Sequence, residues 1–217
     1  GKNFVGLIHQ PRLVLADLDL VQTLPARELR CGYAEIVKVG LIGDGEFFAW
    51  CEAHARRVLA LDPEALAHAV GAAIAFKARI VEADEREAGP RALLNLGHTF
   101  AHALEAHCGY DGALLHGEAV GAGLALAFAY SAELGLCQQE DSARVQTHLE
   151  SVGLGGDPRQ LAGGPYQAQK LLALMAEDKK AEADDLTLIL AHAIGRAFVQ
   201  KSADAARLRA FLEARFT

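Results

Sequence analysis

The sequence predicts a mainly α-helical domain with a few short strands. Three observations support this. Hydrophobic residues make up 52% of the 217, and alanine and leucine dominate them, a composition that favours helices. Helix-opening signals recur along the chain, each followed by apolar residues at helical spacing. β-prone runs are confined to Arg12–Asp17 and to two short stretches on either side of Gly195.

The elements follow in order. "RLVLAD", Arg12 to Asp17, is apolar and β-prone and reads as a buried strand. Thr23 can cap a helix, Pro25 suits a first helical position and Glu28 supports the first turn. Leu29, Ala34, Ile36, Val37 and Leu41 carry that helix to the Gly43-Asp44-Gly45 break. No element is assigned between this break and Asp62. Asp62 and Pro63 then open a long helix that ends near Gly89-Pro90. Further helices are expected around 97–108, 115–135, 139–152 and 167–176, with a surface loop over the glycine-rich stretch 153–165. Leu186 to Leu190 and Ala197 to Gln200 read as two strands turning at Gly195, and a last helix covers 203–215.

Length and charge narrow the function. A chain of 217 residues can bury one good core. Its net charge of −7, with Lys and Arg dispersed, argues against a nucleic-acid partner or an anionic membrane surface, so basic groups that bind an anion must be few and local. Cys31, Cys51, Cys108 and Cys137 are widely spaced, which suggests a reducing compartment rather than a disulfide framework. The longest apolar run, Ala119 to Tyr130, is too short to span a bilayer, and no signal peptide opens the chain. A cytoplasmic protein is expected.

Four of the nine histidines fall between His98 and His116. His98 and His102, four apart, share a helix face. His116 lies beyond "CGYDGALL", whose Gly109 and Gly112 allow the chain to reverse and carry it back beside the first helix. Two imidazoles from neighbouring helices can begin a metal site, and a catalytic zinc needs one more ligand with a position left for substrate. Glu35, flanked by Ala34 and Ile36 in an apolar helix, is the preferred third ligand. Glu118, two residues after His116 and so on another face, ranks lower. A single histidine on a helix is more often an ordinary core or surface residue, and that reading is kept for His9, His54, His68, His107, His148 and His192.

A second constellation precedes His98. Lys77, Glu87, Arg91 and Asn95 lie where helix gives way to loop and back. If a helix begins near Pro90, then Arg91, Asn95 and His98 share one face. With Lys38 one turn after Glu35, they could hold an anionic, hydroxylated ligand, the arginine through its fork. The acidic run from Glu82 to Arg86 reads as a solvated helix end.

Together "GKNFVG", "LPARELRCGYAEIVKVGLI", "KARIVEADEREAGPRALLNLGHTFAHALE", "LLHGEAVGAGL" and "DKK" resemble the 3-dehydroquinate synthase family of sugar phosphate cyclases. The resemblance implies the helical C-terminal domain of the dehydroquinate synthase-like fold. Residues 1–217 would be its metal- and substrate-binding domain, with 1–20 leading in from an N-terminal NAD-binding α/β domain that this chain lacks. It implies Glu35, His98 and His116 as ligands of Zn2+ or Co2+, His102 as a proton-transfer group and Glu87 as an acid/base group. Substrate contacts are implied for Lys2, Asn3, Lys38, Lys77, Arg91 and Asn95, and for a lysine of the Lys179–Lys180 pair. Val39 departs from the aromatic or polar residue usual there, away from any ligand position.

The family activity is conversion of 3-deoxy-D-arabino-heptulosonate 7-phosphate to 3-dehydroquinate and phosphate, in the shikimate pathway to aromatic amino acids. It proceeds by NAD-mediated oxidation, phosphate elimination, reduction and intramolecular aldol closure. The partner implied is a small sugar acid phosphate, and the assembly implied is a homodimer. The apolar helix 115–135 is expected to wall the cavity. Other readings are a cyclase of the inosose or valiolone type, a metal-dependent polyol dehydrogenase with fewer anion-binding cations, and a non-catalytic helical metal-binding module.

Overall fold

The computed structural model describes residues 9–86, 89–109, 112–155, 158–177 and 186–216. Its helices are α1 (Ala26–Gly43), α2 (Gly45–Leu59), α3 (Pro63–Ala83), α4 (His98–His107), α5 (His116–Glu133), α6 (Gln139–Ser151), α7 (Ala168–Glu177) and α8 (Ala205–Phe216). One antiparallel hairpin, β1 (Leu188–Ala193) and β2 (Arg196–Gln200), pairs Ile189 with Val199 and Leu190 with Phe198. The mainly α reading holds, and the hairpin sits where the two β-prone runs placed it.

Helix α5 is the axis of the fold. Alanine, glycine and leucine crowd its length, and nearly every residue from Gly117 to Ala132 is buried. It packs against α1, α4, α6 and β1. A helix apolar all round belongs in a core, so α5 is an internal post rather than the cavity wall expected from its sequence. Polar ties dock the hairpin onto its neighbours. Ser131 donates to the Ala127 carbonyl (2.7 Å) and accepts from the Ala191 amide (3.1 Å), while the Gly195 amide donates to the Leu41 carbonyl (3.1 Å). No described helix is long and apolar enough to cross a membrane.

Three expectations are corrected. Arg12 to Asp17 form no strand; Leu13 and Leu15 are 77% and 80% exposed. A strand needs a hydrogen-bonded neighbour, and among the described residues β1 and β2 pair only with each other. The unassigned stretch after Gly43 is α2. Asp44 accepts from the Phe47 amide (2.9 Å), and Phe47, Phe48, Cys51, Ala55 and Val58 form its buried stripe. Helix α3 opens as expected, with Asp62 accepting from the Ala65 amide (3.0 Å), but it stops at Ala83. Asp84 leaves the helix to accept from the amides of Gly89 (2.8 Å) and Arg91 (3.0 Å), which turns the chain sooner than the glycine-proline signal suggested. The 153–165 stretch carries a short 3-10 turn at Pro158–Gln160.

Candidate metal centre and anion cleft

Three helices bring Glu35, His98 and His116 together. Glu35 lies mid-way along α1, and the two histidines are the first residues of α4 and α5. One ligand atom from each lies within 4.8 Å of the others. Glu35 Oε1 is 3.6 Å from His98 Nε2 and 3.7 Å from His116 Nε2. A tetrahedral ion with bonds of about 2.1 Å sets its ligand atoms about 3.4 Å apart, so small side-chain movements would let all three share one ion.

The tautomers suit this, as assigned from hydrogen-bond partners. His98 Nδ1–H donates to the Leu96 carbonyl (3.2 Å) and His116 Nδ1–H to Glu105 Oε2 (3.1 Å), which turns both Nε2 lone pairs toward Glu35. Burial, with Lys38 nearby and opposed by Glu35, pushes His98 down to about 4, so its imidazole is neutral at neutral pH. Glu35 is ionised. Burial resists its charge, but the charge and hydrogen bond of Lys38 outweigh that and hold the carboxyl below its usual range. Lys38 Nζ sits 2.6 Å from Glu35 Oε2, which leaves Oε1 facing the histidines.

Glycines set the helix spacing next to two of these residues. A Cβ on Gly117 would lie 2.2 Å from Cys31 Cα, so α5 meets the α1 backbone one residue after His116 and one turn before Glu35. Gly97, at φ +79° just ahead of His98, accepts no Cβ either, because one would lie 2.8 Å from the Leu124 amide nitrogen. Across that contact, a Cβ on Gly123 would come within 2.2 Å of the Gly97 carbonyl oxygen.

The three groups open onto a cleft of about 860 Å³. Lys38, Lys77, Arg91, Asn95 and His102 line it with them. Arg91 and Asn95 belong to a 3-10 turn, Pro90–Asn95, not to the helix that starts at His98; Gly97 separates the two. They line the cleft all the same; Asp84 accepts from the Arg91 amide (3.0 Å) and Arg91 Nη1 donates to the Glu85 carbonyl (2.6 Å). The His102 ring lies 5.5 Å from that of His98 and 6.5 Å from that of His116. From α5, only His116 reaches the cleft; a 3-10 turn before α1 (Leu18–Thr23), α1 itself, the end of α2 and α3 make its walls, with Val21, Ile36, Val70 and Ile74 on the apolar side. Lys2, Asn3, Glu87, Lys179 and Lys180 lie outside the described residues.

Glu118 is turned away from this group. It takes a two-pronged contact from Arg27 (both 2.6 Å) and accepts from the Leu115 amide (3.0 Å). Sequence reading missed this pair and missed Glu105. Glu105 had a local signal, since it stands seven residues after His98 and so on the same face of α4. The Arg27–Glu118 pair spans 91 positions and had none.

Comparison with known proteins places the chain in a family. Residues 32–181 match the family described as 3-dehydroquinate synthase C-terminal. The chain is 55% identical to the 3-dehydroquinate synthase of Caulobacter vibrioides, over 98% of this chain and 57% of that one. It is 53% identical to the Rhodospirillum rubrum enzyme of the same name, over 99% and 56%. The chain therefore spans a little over half the length of these relatives. Among solved structures, a 2-epi-5-epi-valiolone synthase from Streptomyces hygroscopicus with NAD+ and Zn2+ bound superposes with a TM-score of 0.84 at 27% identity, covering 98% of this chain and 58% of that one. A 2-deoxy-scyllo-inosose synthase complexed with carbaglucose-6-phosphate, NAD+ and Co2+ shares the fold, with a TM-score of 0.80 at 22% identity over 99% and 59%.

Proposed function

Because the chain belongs to the 3-dehydroquinate synthase C-terminal family, we propose that it is the metal- and substrate-binding part of a 3-dehydroquinate synthase. The observation that carries the proposal is the convergence of Glu35, His98 and His116 beside Lys38, Lys77 and Arg91 in one cleft. The substrate, 3-deoxy-D-arabino-heptulosonate 7-phosphate, has an anion at each end and hydroxyls between them. When bound, the ion acidifies a substrate alcohol and polarises the ketone made from it, and NAD accepts and returns the hydride.

The chain's own residues have separate tasks. Glu35, His98 and His116 hold Zn2+ or Co2+, with neutral imidazoles and one carboxylate leaving room for substrate oxygens. Lys38, Lys77 and Arg91 bind the phosphate and carboxylate ends, and the Arg91 fork suits either. Asn95 hydrogen-bonds a hydroxyl. His102 takes the proton that leaves as phosphate is eliminated, and Lys2, Asn3, Glu87, Lys179 and Lys180 complete the site by resemblance. The apolar side of the cleft excludes water from enolate intermediates. NAD binds mainly on a domain outside this chain, and a cytoplasmic homodimer belongs to the same reading.

The test is phosphate release by the full-length protein supplied with zinc, NAD and the heptulosonate phosphate. Turnover that His98→Ala abolishes supports the reading. The fold shared with the valiolone synthase keeps a second cyclase specificity in view. Release from sugar phosphates without a carboxylate, and none from the heptulosonate phosphate, would move the assignment there.

A further inference from the structure

We propose that Glu105 is a positioning residue that aims His116 at the ion; this rests on the metal reading above. The backbone beside His116 is already held. Arg27, on α1, grips the Glu118 carboxylate on the first turn of α5 and donates to the Ala113 carbonyl (2.8 Å) in the preceding loop, and Glu118 accepts from the Leu115 amide. With the Gly117–Cys31 contact, this clamp seats the start of α5 on α1 next to Glu35. What it does not set is the rotation of the imidazole, whose side chain is 44% exposed.

Glu105 sets that rotation. It projects from the α4 face that carries His98 and His102, with its side chain 14% exposed, and its Oε2 lies 3.1 Å from His116 Nδ1. An accepting carboxylate at Nδ1 puts the proton there and leaves the Nε2 lone pair for an ion. It also makes the imidazole a better donor, as partners behind metal-bound histidines do. One face of α4 thus supplies a ligand, His98, and the group that aims a ligand of another helix. An ordinary surface ion pair between Glu105 and His116 would do neither.

The experiment uses Co2+ as probe in the full-length protein. Affinity is read by chelator competition, ligand geometry by the visible absorption of the bound ion, and folding by the melting temperature of the metal-free protein. Glu105→Ala is expected to bind Co2+ about 10- to 100-fold more weakly, with an altered spectrum and an unchanged metal-free melting temperature. Glu105→Gln, which keeps an accepting oxygen but no charge, should fall between the alanine variant and wild type. Wild-type affinity and spectrum in Glu105→Ala would overturn the proposal, as would a loss that glutamine does not relieve and that tracks a fall in melting temperature. Should the alanine variant fail to fold, Glu105→Gln decides: an intermediate affinity supports the proposal and an unchanged one overturns it. A wild-type protein that takes up no Co2+ would remove the metal reading itself, and this inference with it.

Discussion

Replacing Gly117 with alanine should separate metal binding from folding. The new Cβ would lie 2.2 Å from Cys31 Cα and 2.4 Å from Cys31 Cβ and O. All three are on or next to the α1 backbone, so no side-chain rotation relieves the clash. Reaching ordinary contact at about 3.4 Å or more moves the start of α5 off α1 by about 1.2 Å. His116 is the adjacent residue, and Glu35 lies one turn beyond Cys31, so the shift falls on their 3.7 Å approach. Carried through rigidly, it would part Oε1 and Nε2 by about 5 Å, beyond the roughly 4.2 Å that an ion with bonds near 2.1 Å can bridge even in line.

Folding should suffer less. Overpacking commonly costs about 1–3 kcal/mol, while alanine gains about 1 kcal/mol over glycine within a helix. The net, about 0–2 kcal/mol, corresponds to a fall in melting temperature of at most about 8 °C in a chain of this size. The assay is zinc affinity by chelator competition alongside calorimetry of the metal-free protein. A loss of about 100-fold in affinity is expected with the fold retained, the order that a 1 Å misplacement produces at other sites. Gly71→Ala is the control. Gly71 is exposed on α3, and an added Cβ there meets nothing within 4 Å, so that variant should be about 0.5–1 kcal/mol more stable. Zinc affinity in Gly117→Ala within about threefold of wild type would show that the helix contact does not set the ligand spacing.

Two further outcomes test the core. Phe128→Ala on α5 removes a fully buried ring from the axis of the fold and should lower the unfolding free energy by about 3–5 kcal/mol in urea titration; a change below about 1 kcal/mol would mean that the site collapses or that α5 is not central. His148 should contribute to acid sensitivity. Its ring is 5% exposed, edge-on to Phe48, with Nε2 3.1 Å from the Tyr33 hydroxyl. Burial, helped by Arg144 and opposed by Glu52, holds its pKa below the ordinary value. The unfolded chain then binds a proton near pH 6.5 that the folded chain refuses, so stability is lost as pH falls below about 6.5, by up to about 1.4 kcal/mol per pH unit for this one group. His148→Gln, which keeps a donor for Tyr33 and does not titrate, should flatten the limb between pH 6.5 and 5; an unchanged slope would rule His148 out.

What could be read from sequence was local. Asp62-Pro63 announced α3, and Gly195 announced the hairpin turn, because capping and turn chemistry act over a few residues. The pairing of His98 with His116 was visible as two imidazoles on helices joined by a glycine loop. Asp44 and the apolar spacing from Phe47 to Val58 carry the same kind of signal for α2. Other features had no local trace. RLVLAD has the residues of a strand, but a strand is made by its neighbour, and none of the described residues supplies one. Asp84 ends α3 by bonding amides five and seven residues ahead, a choice that no cap rule anticipates. The clamp from Arg27 to Glu118 and the seat of Gly117 on Cys31 join neighbouring helices, α1 and α5, that lie far apart in sequence, 91 positions for the clamp.

The placement of the two histidines also bears on how an acidic chain can build a local site suited to an anion. Each is the first residue of its helix, and neither Gly97 nor Leu115, the residues before them, has a side-chain oxygen to cap the first amides. The positive ends of α4 and α5 therefore meet at the cleft, where partial charge favours anions and disfavours protonated imidazole. Lys38 acts in the same direction from within, at 7% exposure, and Lys77 and Arg91 act from the rim. Glu28 and Glu35 are the carboxylates among the described residues lining the cleft, and Lys38 offsets Glu35 at 2.6 Å. A local positive field in a chain of net charge −7 thus needs few basic residues, because two helix ends supply part of it.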